Sequence, residues 1–334
     1  MTQLRCPRCG SLFDPPARFC IKDGFPLTAP QSKSASWGLQ RTAEIRNPAR
    51  PGDPASGLQG RILDSRYAVE ARVGEGGMAY VYRAKDRTNG ETVAIKVLMS
   101  RLAGDPESVA RLEREAKLAM KLNHPNVCRI LALGSASGLP YLVMPFLDGE
   151  TLSRRESRVG PMSAAAGIGI LVQLCRGLQH AHDQDVLHRD LKPENVMLVK
   201  DPAGERAVVM DFGLAKERIT GTDATKLTAT GIVLGTPEFM SPEQIRGRSL
   251  DPRSDVYGIG VLGFELFTGE LPFEGANAQA TMLNHLTGQP RKLRAVRPEL
   301  SPKLEAVIDR SLQIDPASRF ATMTELAQAL ESAR

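Results

Sequence analysis

The chain has 334 residues, 42% of them hydrophobic and 24% charged, which is the balance of an ordinary soluble protein with about two domains and a sizeable core. Its net charge of +5 is modest and no dense basic run occurs, which argues against a nucleic-acid partner. No apolar stretch approaches bilayer-spanning length and the first thirty residues lack a signal-peptide core, so the expectation is a cytoplasmic chain without a membrane segment. Five cysteines, an odd count, speak against a disulfide framework.

In chain order, Cys6-Pro7-Arg8-Cys9-Gly10 has the C-x-x-C-G form in which a tight turn aims two thiolates at one ion. Cys20-Ile21-Lys22-Asp23-Gly24 repeats it with aspartate in the fourth place. Residues 1–27 resemble a short zinc ribbon, which implies Zn2+ on Cys6, Cys9, Cys20 and Asp23. Asp23 stands where the ribbon pattern has cysteine, so a ribbon that has lost its metal is the alternative. The few apolar residues here could not fold the module without a metal. Residues 28–60 are rich in Pro, Ser, Gly and Ala, and read as a flexible linker. Trp37 lies within it as an exposed aromatic.

Tyr67–Val73 reads as a strand, and Gly74–Val81 as a turn into a second one; glycines at 74 and 76 let backbone amides approach phosphate. A dinucleotide-binding fold would need a helix after these glycines, and a strand-like run follows instead. Lys96 interrupts the apolar strand Val93–Leu98, so a partner carboxylate is expected. A helix opens at Asp105-Pro106. Of its glutamates, Glu115 shares a face with Leu112, Leu118 and Leu122, whereas Glu113 is flanked by Lys117. Tyr141–Met144 reads as a strand and Ala164–His182 as a helix. His180, His182, Asp183, Asp185 and His188 straddle the end of that helix without any metal-ligand spacing. Cys128 and Cys175 sit in apolar segments and are expected to be inert core residues.

The run His188-Arg189-Asp190-Leu191-Lys192-Pro193-Glu194-Asn195 puts a carboxylate, an ammonium and an amide on one short loop. Phosphoryl transfer needs that set: a group to orient an attacking hydroxyl, a cation near the moving phosphoryl group, and an oxygen ligand for magnesium. Asp190, Lys192 and Asn195 can fill these roles, and Asp211-Phe212-Gly213 offers a second ligand sixteen residues after Asn195. Val196–Val199, the turn Asp201–Gly204 and Ala207–Met210 form a hairpin between the two runs.

These motifs resemble the catalytic and magnesium loops of eukaryotic-like (Hanks-type) serine/threonine protein kinases of the bacterial type. The resemblance covers residues 67–331. It implies an α+β, two-lobed protein kinase fold behind the ribbon-like module. The N-lobe, 67–147, would be an antiparallel sheet with one helix, and the C-lobe, 148–331, mainly helical. ATP with Mg2+ or Mn2+ would lie between the lobes.

On this resemblance Lys96, paired with Glu115, positions phosphates. Asp190 orients the acceptor hydroxyl, Lys192 steadies the γ-phosphoryl group, and Asn195 and Asp211 hold the magnesium. The nucleotide would be lined by Val73, Gly74, Glu75, Gly76, Gly77, Met78, Ala79, Tyr80, Val81, Ala94, Lys96, Met144, Phe146, Leu147 and Met197. Ala79 replaces the last glycine of the kinase loop, and the adenine donor falls to Leu147 because Pro145 has no N–H. Thr225, Thr228 and Thr230 are the phosphorylation candidates, with Arg189 as the cation such a phosphate would meet. Thr236 with Lys192 fits a serine/threonine rather than a tyrosine acceptor. Glu243 should pair with Arg319, and Asp255 should brace the catalytic loop. The implied partners are protein substrates and, for trans-autophosphorylation, a second copy of the chain. The competing function is a catalytically silent scaffold acting through the zinc module, although none of the catalytic groups is missing.

Overall fold

A computed structural model describes residues 4–5, 12–13, 53–77, 79–202, 204–212 and 236–334, without the side chains of residues 4–5, 12–13, 101, 106–108, 111 and 115. The chain divides into two compact units, 1–47 and 48–334. In the first, β1 (Leu4–Arg5) pairs antiparallel with β2 (Leu12–Phe13). Cys6, Cys9, Cys20, Asp23 and Trp37 lie outside the described residues.

The upper part of the second unit is a six-stranded antiparallel sheet. Its strands are β3 (Ile62–Leu63), β4 (Tyr67–Glu75), β5 (Ala79–Asp86), β6 (Thr92–Leu98), β7 (Ala132–Ala136) and β8 (Leu139–Pro145), in the order β3-β4-β5-β6-β8-β7. Side chains alternate between the faces of a strand, and the register keeps the alternation in phase. Tyr80, Tyr82, Val93, Ile95, Val97, Tyr141 and Val143 form one apolar cluster. Leu142 packs instead with Leu112, Ala116 and Ala119 of helix α2 (Pro106–Ala119), a group that Met144 flanks. One turn, α1 (Ser100–Ala103), precedes α2, so this lobe carries a short helix beyond the one expected. Strand β4 runs on to Glu75, two residues further than the glycines suggest, because Gly74 and Glu75 still pair with Val81 and Tyr80.

The outer cluster is closed by residues assigned to the linker, a correction to the 28–60 boundary. Ala55 and Leu58 are buried within it, at 0% and 5% exposure. Pro54–Ser56 form a 3-10 turn capped by Asp53, whose carboxylate accepts from the Ala55 N–H and the Ser100 hydroxyl at 2.9 and 2.6 Å. The Tyr82 hydroxyl donates to the Ala55 carbonyl at 2.6 Å. A segment-wide composition hides two apolar residues that a sheet face needs as cover. Leu58→Ala is therefore expected to lower unfolding stability by about 2–4 kcal/mol, read in a denaturant titration. A loss under about 0.5 kcal/mol would place the segment outside the core.

Below the sheet come β9 (Gly149–Thr151), α3 (Leu152–Val159) and α4 (Ala164–His182), the last with the bounds expected and capped by Ser163. The hairpin β10 (Val196–Asp201) and β11 (Gly204–Val209) follows, with β9 on the outer side of β10. Then come α5 (Pro242–Ile245), α6 (Pro252–Thr268), α7 (Ala278–Thr287), α8 (Leu293–Val296), α9 (Pro302–Ser311) and α10 (Met323–Ser332). Helix α6 is mostly apolar and buried along most of its length, the pattern of a central core helix. It starts on Asp251 with Pro252 in the first turn and stops at Gly269, which takes the left-handed φ of 73°. Among the described residues no helix is long and apolar enough to cross a membrane.

Candidate active site

Lys96 stands in β6 opposite Val81 of β5 and Leu142 of β8, on the face turned away from the tyrosine cluster. An ammonium on a half-buried strand needs a carboxylate, and Asp211 provides it: Nζ lies 2.7 Å from Oδ1. The Glu115 side chain, the partner expected for Lys96, lies outside the described residues. Glu113 is exposed. Burial pushes the Asp211 carboxyl up, and Lys96 more than offsets this, holding it below the usual carboxylate range.

The two cysteines expected to be inert core residues differ in burial. Cys175 is fully buried, but Cys128 is only half-buried, and its N–H donates to the Val209 carbonyl at 2.8 Å, beside the strand leading to Asp211. Burial, with the negative charge of Asp211, pushes its thiol up to about 12, so it is a neutral neighbour of the ion pair.

The catalytic-loop run lies between α4 and β10. The His188 and Arg189 amides donate to the two Asp255 oxygens at 2.8 and 2.9 Å, the bracing expected of Asp255. That carboxylate is 2% exposed and also meets His182 Nε2 at 2.7 Å. Burial raises its pKa, while His182 and His188 bring it below the ordinary value. Buried His188 reaches the Met210 carbonyl through Nε2 at 2.8 Å and sets its ring edge-on to Phe212. One imidazole thus ties this loop to the residue before Asp211, and no metal cluster of histidines forms among the described residues.

Asn195 donates its amide N–H to the Asp190 carbonyl at 2.8 Å and to the carboxylate Oδ2 at 3.3 Å. Lys192 Nζ is 3.5 Å from the same Oδ2 and donates to Thr236 Oγ1 at 3.1 Å. Thr236, Lys192, Asp190 and Asn195 are therefore linked in one chain of contacts, while Lys96 and Asp211 form a second pair. With its N–H engaged, Asn195 keeps its amide oxygen as an acceptor. That oxygen and the Asp211 carboxylate are the hard donors that magnesium prefers.

Thr236 opens the short turn Pro237–Phe239, and α5 follows. Glu243 meets Arg319 at 2.8 and 2.9 Å in a two-pronged, buried ion pair, as expected. Carbonyls of Arg253, Gln313 and Ile314 take up further guanidinium hydrogens, and the Tyr257 ring lies against it. Thr225, Thr228 and Thr230 lie outside the described residues.

Of the residues expected to line a nucleotide, Val73, Gly74 and Glu75 end β4, Gly76 and Gly77 make the turn, and Ala79 and Val81 begin β5. Met78 is outside the described residues. Tyr80 is a correction: its ring is buried in the outer cluster, because alternation turns it away from the face that carries Val81 and Lys96. Ala94 and Met144 are direct partners across β6 and β8, and Met197 is half-buried on β10. The Phe146 N–H is spent on the Thr92 carbonyl at 3.4 Å, which leaves the next amide, that of Leu147, as the donor along this segment. Sequence reasoning missed His182 and Gln244. The one signal for His182 was that a buried carboxylate has room for more donors than two amides.

The family model for the protein kinase domain matches residues 67–330. The chain belongs to this family. Its kinase region is 42% identical over 267 residues to the serine/threonine-protein kinase pkn3 of Myxococcus xanthus, covering 79% of this chain and 49% of the relative. PrkC of Bacillus subtilis is 35% identical over 83% of this chain and 42% of its own length. The chain thus spans about half or less of these relatives. The crystal structure of the Mycobacterium tuberculosis PknI kinase domain matches with a TM-score of 0.66 at 27% identity, over 82% of this chain and 98% of that one. Rad53 in complex with AMP-PNP matches with a TM-score of 0.65 at 27% identity, over 78% of this chain and 64% of that one. The architecture is the two-lobed protein kinase fold, with an antiparallel sheet above and helices below.

Proposed function

We propose that the chain is an ATP-dependent serine/threonine protein kinase that also phosphorylates its own Thr225, Thr228 or Thr230. The observation that carries this reading is the Lys192 contact with both Asp190 and Thr236, since it joins an acceptor-orienting carboxylate to the segment where a protein substrate would dock. Asp190 orients the incoming serine or threonine hydroxyl. Lys192 steadies the γ-phosphoryl group, and Lys96, braced by Asp211 and Glu115, holds the phosphates behind it. Asn195 and Asp211 would hold Mg2+ or Mn2+, which neutralises charge on the transferring group. Arg189 would receive a phosphorylated loop threonine.

In the same reading the kinase domain is 67–331 with 53–66 as its packed flank, the chain works in the cytoplasm on protein substrates, and a second copy serves trans-autophosphorylation. Transfer of radiolabel from ATP to a basic protein tests the activity, with mass-spectrometric mapping of the loop threonines. Equal inactivity of folded wild type and Asp190→Asn would favour the scaffold.

The C-x-x-C spacing supports Zn2+ on Cys6, Cys9, Cys20 and Asp23. One zinc per chain is expected by atomic emission, reduced by at least about half in Cys6→Ser because a structural site needs its four ligands. A purified chain free of zinc would refute this.

A further inference from the structure

Arg189 has a left-handed backbone, φ 64°, which an L residue with a long side chain holds only when its neighbours impose it. Its N–H is fixed by Asp255 at 2.9 Å. The peptide that follows, joining Arg189 to Asp190, is held at both ends. Its N–H donates to His188 Nδ1 at 3.3 Å, and its carbonyl accepts from Gln244 Nε2 at 2.7 Å.

The other end of the Gln244 amide, Oε1, accepts from the Ser241 N–H at 2.9 Å, and the Ser241 hydroxyl accepts from the Gln244 N–H at 3.4 Å. These partners settle the orientation of the amide. A backbone N–H can meet only its oxygen, and a carbonyl only its NH2. One side chain therefore caps the four-residue helix α5 and grips the peptide immediately before Asp190.

We infer that Gln244 is a positioning residue for Asp190. By pinning the Arg189–Asp190 peptide plane to α5, it couples the docking segment to the carboxylate that orients the acceptor hydroxyl. The inference rests on the proposed kinase reading. A cap alone would explain the bond to Ser241 but not the one to Arg189. A misplacement of the carboxylate by a fraction of an ångström is enough to slow transfer.

Gln244→Glu separates the two roles in the full chain. It keeps an acceptor for the Ser241 N–H and sets a carboxylate oxygen against the Arg189 carbonyl. The variant is expected to lose about tenfold or more in kcat near pH 8, with KM for ATP within about twofold. Protonating the new carboxyl restores a donor, so the ratio of variant to wild-type kcat should rise as pH is lowered towards the ordinary glutamate value of about 4.3. A kcat within about twofold of wild type near pH 8 would overturn the inference. So would an equal loss in Ser241→Ala, which removes only the cap hydroxyl and would assign the effect to α5. Inactive wild type would instead defeat the kinase reading. Hydrogen exchange at the Asp190 amide then decides on Gln244: faster exchange in Gln244→Glu supports it and unchanged exchange refutes it.

Discussion

Asp190→Asn is expected to lower kcat for transfer to a protein acceptor by about a thousandfold, within the range for a positioned acid–base group. The replacement is isosteric, and the contacts that shape the loop are made by others. The loop amides are held by Asp255, and the Asn195 bond to the Asp190 carbonyl involves the backbone. The carboxylate charge that faces Lys192 and Asn195 is what disappears. KM for ATP should stay within about twofold, since the proposed role of Asp190 lies with the acceptor. Melting temperature should stay within about 2 °C of wild type, a shift of no more than about 1 kcal/mol for a domain of this size. Single-turnover transfer of γ-labelled phosphate measures the first quantity, and a thermal melt the last. A variant as active as wild type would remove Asp190 from the reaction.

Glu243→Ala should be the most destabilising of the substitutions considered. The Arg319 side chain is 0% and that of Glu243 7% exposed, so removal of the carboxylate strands a guanidinium in the core. Breaking a buried pair from one side costs about 3–5 kcal/mol, or roughly 6–15 °C in melting temperature. The carbonyls around Arg319 moderate the loss without supplying a charge.

The pair also has a pH signature. Burial raises the Glu243 carboxyl, and the bond to Arg319 more than reverses this, leaving it below 4.5. A depressed folded value means the stabilisation is present above the unfolded pKa, near 4.5, and is lost as pH falls through the folded one. His285 acts earlier. Burial, only partly opposed by the Glu238 carbonyl, lowers its pKa from 6.5 to about 4. The unfolded chain therefore binds this proton first, and folding weakens as pH falls from 6.5 towards 4. Melts should show wild type losing stability below pH 6.5, and the gap to Glu243→Ala narrowing only below about 4.5. A gap that stays constant through pH 4 would show that the ion pair does not carry it.

What could be read without the fold is what neighbours along the chain decide. The order of Asp190, Lys192 and Asn195 within one loop, the hairpin up to Asp211, and the bounds of Ala164–His182 depend on caps, turns and periodicity within a few residues. Chemical groups at such spacing declare their reaction type, whereas the two lobes were named through the family resemblance. The Glu243–Arg319 pairing, by contrast, was available only through resemblance, because 76 residues separate the partners.

Packing settled the rest. Lys96 meets Asp211 across 115 residues, a contact that depends on where the sheet and the hairpin come together. Tyr80 turns outward because the register with Val97 assigns its face, and no glycine pattern encodes that. Residues 53–58 are ordered because a sheet has two faces and the second needs apolar cover, which a loop-like composition conceals. Amino-acid order by itself determined which reactive groups this protein owns. The tertiary structure decided which of them touch, because burial and hydrogen-bond satisfaction are settled between segments far apart in the chain.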